Sequence, residues 1–241
     1  MNHLGHDTER LCIRVPKVYD WVSRQIDLPL LSFRDLTSVG FDCEGVTGTA
    51  EDPCRLFDEG PINVSCYLAD SLGNPVDPNS PNSVSVTEII QPQGRQSVVV
   101  HLPRDGKITL QKVKVLIRGY IVVTVSDLQG NVTCVSDAIP FATVQTFLLC
   151  APEGTTLASH VSFFECEANL ICENSTFSQL DISILLCLDI QMEAEVKLEV
   201  EGRFCKPRRE LPSTFACSAV QVPPQCPELF PSDDYDYDFD D

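Results

Sequence analysis

The sequence predicts an all-β fold, an antiparallel two-sheet β-sandwich with long bent strands, and three observations lead there. Apolar residues recur at every second position over long runs, turn residues punctuate those runs, and the 3.6-residue rhythm of a helix is nearly absent. Taken in chain order, residues 1–10 read as a free arm. Lys17–Ile26, with Val18, Val22 and Ile26 four apart, is the one stretch expected to form a short helix. Residues 40–61 form a Gly- and acid-rich loop. Ile62–Ala69, Ser83–Ile90 and Arg95–Leu102 are short strands, separated by the turn residues Leu72-Gly-Asn-Pro75 and the Pro/Asn-rich segment 74–82.

The second half carries the stronger signals. Val113, Val115, Ile117, Ile121, Val123 and Val125 share one strand face, and Leu128-Gln-Gly-Asn131 then turns the chain into Val132–Ser136 as a hairpin partner. Val144–Leu149 is a further short strand, and Phe164–Cys172 places Phe164, Cys166, Ala168, Leu170 and Cys172 together. The longest run, Asp181–Glu201, puts even-numbered apolar residues from Ile182 to Val200 on one face and mostly acids and amides on the other. At about 3.3 Å per residue it spans roughly 70 Å, so a bend or bulge is expected near Asp189–Glu193, letting one strand serve two sheets. From Leu211 the pattern decays through Val222-Pro-Pro-Gln-Cys-Pro227 into a disordered acidic C-terminal tail with six Asp in its last ten residues. No short tandem repeat stands out. The pattern divides the chain into an N-terminal arm or docking segment (1–27), a loop-rich β region (28–105), a C-terminal β-sandwich (106–212) and a tail (213–241).

Composition narrows the function classes. The chain has 241 residues with 17 Lys+Arg against 35 Asp+Glu, a net charge of −18, which repels phosphate backbones and argues against a nucleic-acid partner. No apolar run is long enough for a membrane helix, so no membrane span is expected. Nor does the opening Met1–Arg10 carry the hydrophobic core of an export signal. Twelve cysteines stand in tension with that, because heavy cysteine use belongs to oxidising compartments. Three sequons, at Asn63, Asn131 and Asn174, suit an exported glycoprotein but arise readily by chance.

The cysteines are scattered, with no C-x-x-C, and the four histidines His3, His6, His101 and His160 add no zinc spacing, so no metal and no cofactor are expected. No nucleophile elbow, phosphate loop, dinucleotide fingerprint or zinc-protease motif is present, and His101 and His160 are the only ordered bases near which a cysteine nucleophile could be sought. No catalytic residue is assigned. Cys66, Cys166 and Cys172 keep step with apolar faces and read as small buried hydrophobes. Cys43 and Cys54 flank the acidic loop and could close it. Cys187 and Cys205 keep step with the polar face of the longest strand, and Cys217 and Cys226 lie in the Pro-rich exit. These four are the candidates for cross-links to another chain, with a surface thiol or an internal bridge as the alternatives. Cys12, Tyr19 and Trp21, the last being the only tryptophan, mark the candidate docking segment.

Several segments carry a family resemblance. Leu11-Cys-Ile-Arg-Val-Pro-Lys-Val-Tyr-Asp-Trp-Val22 resembles the opening of morphogenetic spore-coat proteins of Bacillus-type endospore formers. Ala138-Ile-Pro-Phe141, Cys150-Ala-Pro-Glu-Gly154, the Cys166–Cys172 strand and Glu201-Gly-Arg-Phe-Cys-Lys-Pro-Arg208 are similar to the spore-coat assembly domain. The resemblance implies a non-enzymatic structural protein, made in the mother-cell cytoplasm and deposited in the endospore coat or exosporium. It implies partners that are further copies of itself, as a homo-oligomer, and other coat or exosporium proteins. Maturation of those layers outside a reducing cytosol then accounts for the cysteines. Self-association through strand edges and late intermolecular disulfides is the expected mode. The alternatives are a subunit or anchor of a spore-surface filament or exosporium lattice, or an exported, disulfide-rich binding module.

Overall fold

In the computed structural model, which describes residues 9–43, 52–58, 61–102 and 106–202, the chain builds two antiparallel sheets and no α-helix among the described residues. Eleven strands follow one another: β1 (Glu9–Asp27), β2 (Leu31–Phe33), β3 (Asp42–Cys43), β4 (Ile62–Ala69), β5 (Ser85–Glu88), β6 (Ser97–Leu102), β7 (Gly106–Asp127), β8 (Val132–Val135), β9 (Ile139–Leu149), β10 (Thr156–Glu173) and β11 (Thr176–Gly202). Residues Cys12–Val200 form one compact unit. The described residues Glu9–Leu11 and Glu201–Gly202 fall outside it.

The first sheet runs β1-β11-β10, with β2 also on β11. The second is organised by β7. Along one side of it lie β4, β5 and β6 in succession, and along the other β8 and β9, with β3 beyond β8. The alternation read from the sequence decides which sides meet. Leu180, Ile182, Leu186, Leu188, Ile190 and Met192 of β11 are fully buried against Val113, Val115, Ile117, Ile121, Val123 and Val125 of β7 in a single core. Burial of side chains of this size contributes about 1.5–3 kcal/mol each, which is what fixes the register of both long strands.

Two expectations are corrected. Lys17–Ile26 is not helical but the second half of β1. Val18, Val22 and Ile26 are all even-numbered, so they share a strand face as readily as a helix face, and the β-branched residues and Pro16 favour the strand. Long β11 does not pass between sheets; it pairs only with β1, β2 and β10. Its pairing with β10 is irregular at two places: Ser162 of β10 is looped out between the pairs Val161↔Leu188 and Phe163↔Cys187, and Ser178 of β11 between Ile171↔Gln179 and Cys172↔Phe177. One turn is built twice. Asp70-Ser-Leu-Gly-Asn74 after β4 and Asp127-Leu-Gln-Gly-Asn131 after β7 are the same turn: each Asp carboxylate accepts from the Asn backbone N–H and side-chain amide four residues on, and each Gly is left-handed (φ 86° and 87°).

Candidate functional site

Disulfides hold the frame. Cys43 on β3 bonds its register partner Cys134 on β8, Cys54 bonds Cys172 at the end of β10, and Cys66 on β4 bonds Cys166 on β10. Cys66, Cys166 and Cys172 do face the core, as their register requires, but as bonded pairs rather than free thiols. Cys43 and Cys54 do not close their own loop. Each is committed to a strand about a hundred residues away (separations 91 and 118). The segment carrying Cys54 is fastened again by Asp52, whose carboxylate accepts from the backbone N–H groups of Cys54 and Phe177 at 2.9 and 2.8 Å.

The two lateral margins of the sandwich are closed differently. On one, β4 and β10 lie side by side and the Cys66–Cys166 bond spans them with Cα atoms 5.6 Å apart. On the other, β1 turns polar side chains onto the free margin of β9. Asp20 Oδ2 accepts from the Cys150 backbone N–H at 2.8 Å, and Arg24 Nη1 donates to the Thr146 carbonyl at 3.0 Å while its guanidinium lies 4.0 Å from the Phe147 ring centroid. Inward-turned charges of this kind occupy backbone groups that another strand would otherwise pair with. Sequence reasoning passed over these two residues, although Asp20 and Arg24 are the polar interruptions in the even-numbered run Val18, Val22, Ile26.

The ribbon formed by β1 and β11 is different. β10 accompanies β11 only as far as the pair Thr156↔Glu193; beyond it, among the described residues, β11 has a strand on one side alone. Two contacts fix how β1 runs there: Ser23 Oγ donates to Asp189 and Arg14 Nε to Glu195 Oε2 at 2.7 Å. Residue numbers of side chains sharing a face in an antiparallel pair keep one parity in their sum, but 23 and 189 give an even sum and 14 and 195 an odd one. An odd number of extra residues therefore sits between these contacts, on β1 or on β11. The ribbon carries exposed Val18 and Leu198, and Lys17 Nζ lies 4.9 Å from the Tyr19 ring centroid.

The candidate residues divide accordingly. Cys12 is an exposed free thiol on the ribbon, Tyr19 is exposed, and Trp21 is the most exposed aromatic among the described residues at 64%. Cys187 is free and half-buried, opposite Phe163 on the outward face of the first sheet. Cys205, Cys217 and Cys226 lie outside the described residues. Cys150, which the sequence did not single out as a cross-linking thiol, is free and exposed just past β9.

Elsewhere the surface holds a shallow groove of about 640 Å³ over the middle of β7, lined by Arg118, Tyr120, Ser85, Asn82 and Asp70 among others. His101 lies on β6 and His160 on β10, in different sheets. No group of three or more His, Cys, Asp or Glu among the described residues is placed to hold a metal ion. No helix of the described residues is long and apolar enough to cross a membrane. Comparison with protein families, with curated proteins and with solved structures finds no match for this chain.

Proposed function

We propose that this chain is a non-enzymatic structural subunit that assembles with copies of itself and with other proteins of the endospore coat or exosporium. The reading rests on one observation above the others: the β1–β11 ribbon runs on past Glu193 with no further strand beside it among the described residues. Unpaired strand margins present regularly spaced N–H and C=O groups that a strand of another chain can pair with. At the sandwich's own margins the Cys66–Cys166 bond links β4 to β10, and Asp20 and Arg24 engage backbone groups beside β9. The family resemblance of the Leu11–Val22 segment, which lies in this ribbon, supports the same reading and supplies the spore layers as the setting. Free thiols at Cys12, Cys150 and Cys187 are available, with Cys205, Cys217 and Cys226 as further candidates, to seal contacts once the surroundings become oxidising.

The test is gel analysis of the purified protein with and without reductant, paired with electron microscopy. Ladders or ordered arrays that disperse on reduction are expected, as is their loss when Val18→Pro removes a backbone donor from the ribbon. A strictly monomeric species at high concentration under oxidising conditions would overturn the proposal. That outcome favours the second reading, an exported disulfide-rich binding module, for which the three bonds within one chain speak.

A further inference from the structure

The two sheets turn chemically opposite faces to solvent. Odd-numbered residues of β7 point into the core, so its even-numbered residues and their partners on β9 form the outward face of the second sheet. There Lys112, Lys114 and Arg118 alternate with Leu116, and the paired positions on β9 are Leu148, Thr146, Ala142 and Val144. No outward position of β7 from Ile108 to Tyr120, or of β9, carries a carboxylate. Val144 is 54% and Leu148 41% exposed, and none of these outward residues belongs to the core. Three cations among exposed aliphatics are conspicuous in a chain of net charge −18.

The first sheet is the converse. On the outward side of β10, Glu165 and Glu167 are exposed beside Phe163, itself 47% exposed and opposite Cys187. Ser23 reaches outward-facing Asp189, so Trp21, two residues earlier on the same strand, points the same way. This face is the richer in carboxylates and the other the richer in cations and aliphatic side chains, with Arg34 beside Asp181 on the first and Tyr120 near Asp70 on the second. The spacing matches as well, since Glu165 and Glu167, like Lys112 and Lys114, are two residues apart on a strand, about 6.6 Å.

We propose that the Lys112/Lys114/Arg118 face of one copy stacks on the Glu165/Glu167/Trp21 face of the next. The occupant is a second copy because the chain itself carries the complementary surface. The two faces lie on opposite sides of one sandwich, so the contact is heterologous and repeats into an open stack rather than closing as a dimer. From Gln111 to Tyr120, where β9 lies beside β7, the basic face is about 30 Å long and, three strands wide, about 15 Å across, or about 450 Å² per copy. That is below the size of a standard specific interface, so the association is weak and falls with ionic strength. It uses the outward faces of the sheets, Trp21 of β1 included, rather than the strand margin that β11 leaves unpaired past Glu193, and does not depend on disulfides.

The experiment is sedimentation velocity of the full chain with its free thiols alkylated, at low and high salt, which removes cross-linking from the readout. Wild type is expected to associate at low salt and to dissociate at high salt. K112E/K114E alone and E165K/E167K alone are each expected to weaken association tenfold or more, with unchanged circular dichroism and melting temperature. An equimolar mixture of the two variants is expected to restore it, because each then meets a complementary face on the other. Association that survives either charge reversal, or a mixture no better than its components, overturns the proposal. A wild type that stays monomeric at low salt overturns it too. In that case binding of poly-glutamate to wild type but not to K112E/K114E reassigns the basic face to an acidic partner. Failure of the ribbon reading would show separately, as absent ladders in protein that was never alkylated.

Discussion

Arg95 shows how much of this fold can hang on one side chain. It sits in the turn before β6, and its guanidinium grips both Glu88 carboxylate oxygens at 2.7 Å. It also donates to the carbonyls of Ala151, Pro152 and Thr155 and to the Thr155 hydroxyl. Both members of the ion pair are largely buried, with 18% and 16% of their side chains exposed. Arg95 thus ties β5 to the turn that launches β10, joining the two sheets through five polar partners. Arg95→Ala leaves Glu88 and these carbonyls without a donor and is expected to cost about 2–4 kcal/mol, read as a lower urea midpoint. Arg95→Lys is expected to recover only part of that, because an ammonium cannot reproduce the planar fork. Nothing in the local sequence marks Arg95, since its partners are brought to it by the sheets and not by spacing.

At the scale of elements, the twin Asp-x-x-Gly-Asn turns couple β4 and β7 to acidity. The Asn74 side-chain amide, then backbone amides, hold the Asp70 carboxyl below its ordinary pKa, and Asn131 does the same for Asp127. A pKa lowered by folding stabilises the protein above the unfolded-state value near 4 and loses that contribution as pH falls through the lower folded value. The Ser32 hydroxyl, with Gln179 and Arg34, lowers Asp181 in the same sense. Asp70→Asn with Asp127→Asn is therefore expected to lower stability at neutral pH and to flatten its decline between pH 5 and 2, checked by urea melts across that range. These turns were legible in the residues, as were β7, β8, most of β11 and the second halves of β9 and β10, because period-two alternation survives any tertiary context that buries one face. β1 was not legible as a strand, and its second half read as a helix. Four-residue spacing satisfies both rhythms, and only docking beside β11 decides between them. The caps at Asp20 and Arg24 stayed hidden for the same reason, since their targets are backbone atoms of a distant strand.

For the whole molecule, the disulfides set the connectivity that spacing could not. The bond Cys43–Cys134 closes a loop whose ends interleave with those of Cys54–Cys172, and Cys66–Cys166 lies nested within the latter. Which cysteines meet depends on how the sheets stack, so no reading of one strand at a time reveals it. Cys66→Ala with Cys166→Ala opens the margin where β4 meets β10. With Cys54–Cys172 intact, the Cys66–Cys166 bond closes an unfolded-state loop of about 20 residues, which by chain entropy contributes about 3 kcal/mol, and a loss of that order is expected in calorimetry. The opposite margin has no covalent closure, and this makes the order of events during refolding matter. Until β1 has docked, the outer row of β9 is bare, and any neighbouring molecule can reach it first. Asp20→Ala with Arg24→Ala is expected to raise light scattering during refolding from urea in proportion to protein concentration. Two side chains whose static contribution is small would then act chiefly as a timing device, shielding a vulnerable rim during the interval between collapse and completion.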